Sequence, residues 1–205
     1  MASLTCAIAT PDARRSVRAT LLAARRAQPA RARLAADAAI RARLAGLLAT
    51  RAWPLAARVI AVYWPMQAEP DLRPLFADWT AAGALLALPV VAGRGEALRF
   101  ARHAPGNALR AGPHGTVEPV GTDWVEPDVV IAPCLGFSPG GWRLGYGGGY
   151  YDRTLAGFAG LAVGVAYDEC ELAGLRPEPH DVALSFIVTQ ERLIEAAPAP
   201  DANPG

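Results

Sequence analysis

The stretch from residue 128 to residue 158, "DVVIAPCLGFSPGGWRLGYGGGYYDRTLAGF", decides the fold. It opens on an uninterrupted apolar run, "VVIAP", passes through a glycine-dense loop and closes on "GYYDRTLAGF", which reads as a helix. A short, continuous apolar run bounded by turn residues fits a strand covered on both faces. The same kind of run recurs upstream in "RVIAVYW", "ALLALPV" and "ALRFAR", and downstream in "LAVGVAY" and "LSFIVT". Helical stretches alternate with these runs.

Thr10, Pro11 and Asp12 form a helix start: a side-chain cap, a proline at the first helical position and an acid in the first turn. Val17, Leu21 and Leu22 give that helix an apolar face, and Arg14, Arg18 and Arg25 give it a cationic stripe. A second helix over residues 31 to 51 is expected to turn Leu34, Ile40, Leu44, Leu47 and Leu48 inward. "DLRPLFADWTAAG" predicts a third, closed by Gly83, and residues 103 to 121 read as a Pro/Gly/His-rich loop. Alternation of this kind predicts a three-layer α/β/α, Rossmann-like domain, with a mostly parallel or mixed central sheet and helices on both faces. One domain over residues 1–195 is expected, followed by a disordered tail at 196–205, "APAPDANPG" forming most of it. Such sheets bind ligands beyond the carboxyl ends of their strands, which is where the glycine loop falls.

Composition narrows the function classes. With 52% hydrophobic and 19% charged residues the chain is globular in type, and no apolar run approaches the ~20 residues that span a bilayer. No basic segment precedes the weak apolar patch at the N-terminus, so neither a secretory leader nor a membrane partner is expected. Cys6, Cys134 and Cys170 are odd in number and form no CxxC, which points to a reducing cytoplasm and away from disulfides or zinc. Residues 1–58 carry eleven arginines against two acids, yet Trp53 is the only aromatic among them. That argues against a nucleic-acid partner and for an anionic small molecule. The chain has no lysine, which excludes a Walker lysine and a Schiff base; a phosphate clamp here must use arginine and backbone N–H groups.

The loop itself permits two readings. Glycines allow close backbone approach and positive φ, so consecutive N–H groups can face an anion, helped by Arg143, with Asp152 placed to take Mg²⁺. The same composition also suits a tight or flexible turn without a ligand. The known templates do not fit: Tyr150 stands where GxGxxG needs its third glycine, and a P-loop needs lysine.

"GGWRLGYGGGYYDRTL" resembles the signature of the 5-formyltetrahydrofolate cyclo-ligase family, also called 5,10-methenyltetrahydrofolate synthetases. The likeness extends to "RRSVRATLLAAR", "YWPMQAEPDLRPL", "GPHGTVEP" and "EPHDVALSFIVT". It implies an enzyme that uses ATP and Mg²⁺ to phosphorylate the formyl oxygen of 5-formyltetrahydrofolate. N10 then attacks, and ADP and phosphate leave 5,10-methenyltetrahydrofolate behind. It also implies an ATP site of Arg14, Arg18, Arg143, Leu144, Gly145, Tyr146, Gly147, Gly148, Gly149, Tyr150 and Tyr151, with Arg143 and Asp152 catalytic. Glu69 would bind the pterin end of the folate, with Trp64, Tyr146 and Tyr150 beside it; Met66 is a further candidate for that pocket. Asp152 and Asp181 would hold the metal, Ser185 standing where the family often has a second aspartate. His103 occupies a place the family often gives to tryptophan, His180 reads as a bracing residue, and His114 has no role assigned. A cytoplasmic monomer acting on folate and ATP is expected. Two alternatives stay open: an ATP-dependent phosphotransferase on another small anion, and a nucleotide- or folate-binding regulator without turnover.

Overall fold

The apolar runs become a seven-stranded sheet in the computed structural model, which describes residues 8–50 and 55–196. Two helices come first, α1 (Pro11–Ala27) and α2 (Ala30–Thr50), followed by β1 (Val59–Ala61), α3 (Pro74–Ala81), β2 (Leu85–Val91) and β3 (Leu98–His103). Next are the short strands β4 (Leu109–Ala111) and β5 (Val117–Pro119), then β6 (Val129–Pro133), β7 (Gly136–Phe137) and β8 (Arg143–Leu144). The chain continues through α4 (Tyr150–Leu155), β9 (Leu161–Val165), β10 (Phe186–Val188) and β11 (Leu193–Glu195). The sheet order is β11-β10-β9-β6-β1-β2-β3. The five inner strands are parallel, and the edge strands β3 and β11 run antiparallel to their neighbours. The expected mixed α/β sheet is thus observed.

Alternation along the strands makes the two faces unequal. Ile60, Val129, Ile131, Val163, Val165, Phe186 and Val188 point to one side and pack under α1, α2 and α3. Ala61, Ala87, Val130, Ala132 and Ala162 point to the other, where Leu155 of α4 closes over them. One face therefore supports a thick three-helix layer and the other a thin one, in which alanines let a single short helix lie close to the sheet.

Local signals explain the helices. Thr10 accepts a hydrogen bond from the Ala13 N–H at 3.2 Å, and Pro11 occupies the first turn of α1. Gly83 ends the α3 segment with φ +89°. Leu34 departs from expectation: it is 68% exposed. At that end of α2 the inward line runs through Arg33, Asp37 and Ile40, which rotates Leu34 outward. The expected loop at 103–121 contains the β4–β5 hairpin and a 3₁₀ turn at Pro113–Gly115, and β11 adds an edge strand beyond the last one expected. Cys6, Trp53 and the expected tail from residue 197 onward lie outside the described residues. Among the described residues no helix is long and apolar enough to cross a membrane.

Candidate active site

A cleft of about 890 Å³ opens at the carboxyl ends of β1, β2 and β6, which contribute Tyr63, Val91 and Pro133 to its lining. The glycine loop forms one wall. Its base is the β7–β8 hairpin, in which Gly136 pairs with Leu144 and Phe137 with Arg143. Alternation sends neighbouring side chains opposite ways, so Leu144 is fully buried in the core while Arg143 turns toward the cleft. Leu144, expected in the ATP site, does not line the cleft: its side chain anchors the loop. Gly141 has φ +83°, and a Cβ there would stand 2.6 Å from the Leu184 carbonyl oxygen, so only glycine allows the hairpin to close against the segment before β10. Gly147, with φ +98°, lies against the Arg18 guanidinium, whose Cζ would be 3.4 Å from an added Cβ.

The loop arginines are less free than the sequence implies. Arg143 is 6% exposed; its Nη2 donates to Asp152 Oδ1 at 2.5 Å and its Nη1 to the Val182 carbonyl at 2.9 Å. Arg14 is 5% exposed and donates from Nη2 to Asp181 Oδ2 at 2.8 Å and to the Arg176 carbonyl at 2.7 Å, with Glu178 3.4 Å from its Nε. Asp181 Oδ2 also accepts the Glu178 N–H at 2.8 Å. Arg14 and Asp181 therefore clamp α1 to the 176–181 turn. Arg18 donates Nε–H to the Gly145 carbonyl at 2.9 Å and lines the cleft; burial, then the neighbouring Arg14 charge, lower its pKa. The cationic stripe of α1 is thus largely buried rather than solvated.

The opposite wall carries Glu69, 4% exposed, in the turn after β1. Its Oε2 accepts the Met66 N–H at 2.8 Å and its Oε1 accepts the Tyr146 hydroxyl at 2.6 Å. Burial raises the Glu69 pKa, opposed by those two bonds and by Arg25. Gln67 and Ala68 adopt left-handed backbone here, at φ +48° and +59°, so strain is stored in the turn that presents the carboxylate. Trp64 stands beside it, edge-on to the buried His103 with ring centres 6.1 Å apart and 6.5 Å from Phe76. His103 fills the aromatic slot as an uncharged ring, its pKa lowered by burial.

Apart from Leu144, the expected residues gather in one cleft, which is also lined by Tyr150, Tyr151, Asp152 and Asp181. Ser185 lies outside it: its N–H donates to the Ala162 carbonyl at 2.9 Å and its own carbonyl accepts the Ala196 N–H at 3.0 Å. His114 comes within 3.2 Å of the Tyr150 hydroxyl from the β4–β5 hairpin, a meeting that the sequence separation of 36 residues concealed. Sequence reasoning also passed over Arg25 as a site residue, although its place seven residues after Arg18 puts both on one side of α1.

Asp152 offers a carboxylate to the cleft with one oxygen committed to Arg143, which fits a magnesium ion held mainly by phosphate oxygens. Asp181 likewise has one oxygen committed, to Arg14, and with Glu178 and His180 it brings three potential ligand atoms within 4.8 Å of one another.

A profile of the 5-formyltetrahydrofolate cyclo-ligase family matches residues 10–190. The chain is 33% identical over 199 residues to the 5-formyltetrahydrofolate cyclo-ligase of Mycolicibacterium smegmatis, covering 91% of this chain and 98% of that one. It is 34% identical over 152 residues to the enzyme of the same name from Escherichia coli, covering 68% and 81%. The solved structure of Aquifex aeolicus 5,10-methenyltetrahydrofolate synthetase superposes with a TM-score of 0.74 at 27% identity, over 94% of this chain and 99% of that one. With the profile spanning nearly the whole described fold, the chain belongs to the 5-formyltetrahydrofolate cyclo-ligase family of enzymes.

Proposed function

We propose that the chain converts 5-formyltetrahydrofolate to 5,10-methenyltetrahydrofolate with ATP and Mg²⁺, releasing ADP and phosphate. One observation carries the reading: a buried carboxylate suited to ring N–H donors and an arginine-braced glycine loop line the same cleft and meet where Tyr146 donates to Glu69. The γ-phosphoryl group passes to the formyl oxygen, which turns a poor leaving group into a good one. N10 then attacks the formyl carbon and loses its proton, and the oxygen departs as phosphate. Glu69 holds the pterin end, Trp64 packs beside it, and Tyr146 and Tyr150 close over the substrate. The N–H groups of Gly145–Tyr151 and the guanidinium of Arg18 receive the phosphates, and Arg143 steadies the charge that spreads during transfer. Magnesium, when bound beside Asp152, would neutralise phosphate charge.

A regulator without turnover would be favoured by a depleted metal site at Ser185, but that residue stands outside the cleft. The decisive assay mixes protein, ATP, Mg²⁺ and 5-formyltetrahydrofolate and follows the near-UV absorbance of the methenyl product. ATP binding without product at saturating magnesium would overturn the reading. Rapid ATP turnover without folate would favour a phosphotransferase.

A further inference from the structure

Beneath the cleft floor lies a charge that does not reach the cleft. Arg25, in the last turn of α1, is 2% exposed. Its Nη2 donates to the Cys134 carbonyl at 2.7 Å, just past β6, and its Nη1 donates to the Tyr146 hydroxyl at 3.1 Å. The guanidinium also sits 5.8 Å from the centre of the Tyr167 ring, whose hydroxyl donates to the buried Asp37 at 2.7 Å. Burial works against the Arg25 charge, but Tyr146, Cys170 and Glu69 outweigh it and raise its pKa.

The consequence follows from counting protons. A guanidinium donates and never accepts, and a phenol has a single proton. With Arg25 donating to the Tyr146 oxygen, the Tyr146 proton is directed to its other neighbour, Glu69 Oε1, 2.6 Å away. A protonated Glu69 pointing back at that oxygen would leave the phenolic proton without a partner. We propose that Arg25 is a positioning residue for substrate recognition: through Tyr146 it orients the Glu69 carboxylate and keeps it an acceptor for the substrate's ring N–H donors. This rests on the reading that Glu69 binds the pterin end.

The groups facing Glu69 support the assignment. Tyr63 follows β1, Cys134 follows β6, and Tyr146 and Tyr151 come from the glycine loop and α4. Burial raises the pKa of each, the thiol to about 11; Arg143 acts on Cys134 and Tyr151, and Arg25 is the cation that acts on Glu69 itself.

Three variants test this. Arg25→Met removes the charge and both bonds while keeping much of the length. Arg25→Lys restores the charge. Tyr146→Phe cuts the relay but leaves the Arg25–Cys134 bond in place. Binding of 5-formyltetrahydrofolate without ATP, read by tryptophan fluorescence, should weaken about 10- to 100-fold in Arg25→Met and in Tyr146→Phe, the range for a lost hydrogen bond to a charged group. The double variant should be no weaker than the worse single one, since the two act in series. ATP affinity should hold within about twofold in Arg25→Met, because the residue lies outside the phosphate wall. Loss of the cation makes ionised Glu69 harder to sustain, so the acidic limb of kcat/KM for folate should move to higher pH in Arg25→Met and return in Arg25→Lys. A folded Arg25→Met with wild-type folate binding, an equal loss for ATP, or an unmoved acidic limb overturns the proposal. If Arg25→Met does not fold, unchanged folate binding and an unmoved limb in Tyr146→Phe overturn it instead. Glu69→Gln separates the two levels: wild-type folate binding there removes the underlying reading, whereas loss there with full binding in both relay variants removes only the role of Arg25.

Discussion

Replacing Asp152 separates two jobs that one carboxylate is proposed to hold. Its Oδ1 is the charged partner of Arg143, whose side chain is 3% exposed, while Asp152 itself is 19% exposed at the cleft edge. Asp152→Ala would leave a buried guanidinium with the Val182 carbonyl as its remaining acceptor. Removing one partner of a buried ion pair costs about 3–5 kcal/mol, and water entering from the cleft puts the figure near the lower end. For a chain of this size each kcal/mol moves Tm by roughly 2–4 °C, so a fall of about 6–12 °C is expected by calorimetry. Asp152→Asn keeps an oxygen for Arg143 and should cost only about 1 kcal/mol, or a few degrees. Metal binding divides the variants differently, because an amide oxygen is a poor magnesium ligand. Both variants should therefore need far more Mg²⁺ for half-maximal turnover while retaining 5-formyltetrahydrofolate binding. An Asp152→Ala protein that melts with the wild type would refute the buried-pair reasoning. Wild-type magnesium dependence in Asp152→Asn would refute the metal assignment.

Other outcomes follow from the same structure. Glu69→Gln should weaken folate binding by about 10- to 100-fold with ATP affinity unchanged, measured by titration calorimetry with each ligand alone. Asp37 is buried and its pKa is raised, by burial first, so its contribution to stability is full below the ordinary carboxylate range and is lost as pH climbs through the raised value. Asp37→Asn keeps an oxygen for the Tyr167 hydroxyl, so its stability relative to wild type should increase from pH ~4 toward neutrality in urea titrations, against an ordinary aspartate value of about 3.9. Gly141→Ala should cost at least about 1–3 kcal/mol from left-handed backbone alone, with the Leu184 contact adding to it, and the loss would show as a lowered Tm.

The central strands were legible because burial on both faces erases polar alternation, leaving runs such as "VVIAP" and "LAVGV" that stand out in any window. The edge strand Leu193–Glu195 was not, since a three-residue segment with exposed ends carries no such run. The β4–β5 hairpin hid behind prolines and glycines that equally describe a loop. At the site, the glycine loop and Glu69 could be located from motif and order, but their bonding could not. Arg14 and Asp181 lie 167 residues apart in the chain, and Arg143 meets Asp152 only because the loop folds back through nine residues. Exposure was the least readable quantity. An arginine stripe on a helix looks solvated until its partners are known: Arg14 has a carbonyl and a carboxylate, Arg25 a carbonyl and a phenol, while Arg15 remains outside with a surface pair to Asp12.

The thin, alanine-lined face of the sheet has a mechanical consequence. The three-helix side carries most of the large buried side chains, including Ile40, Leu44, Leu72 and Trp79, so opening it means breaking the main core. The other side rests on a few residues of α4 and the segments around it, and the glycine loop leads directly into that helix. The glycine loop nonetheless stays tied to the thick half, through Leu144 in its core, Arg18 on the Gly145 carbonyl and the bonds of Tyr146 with Glu69 and Arg25. The thin side, α4 above all, should therefore lose amide protection before the three-helix core does in hydrogen exchange.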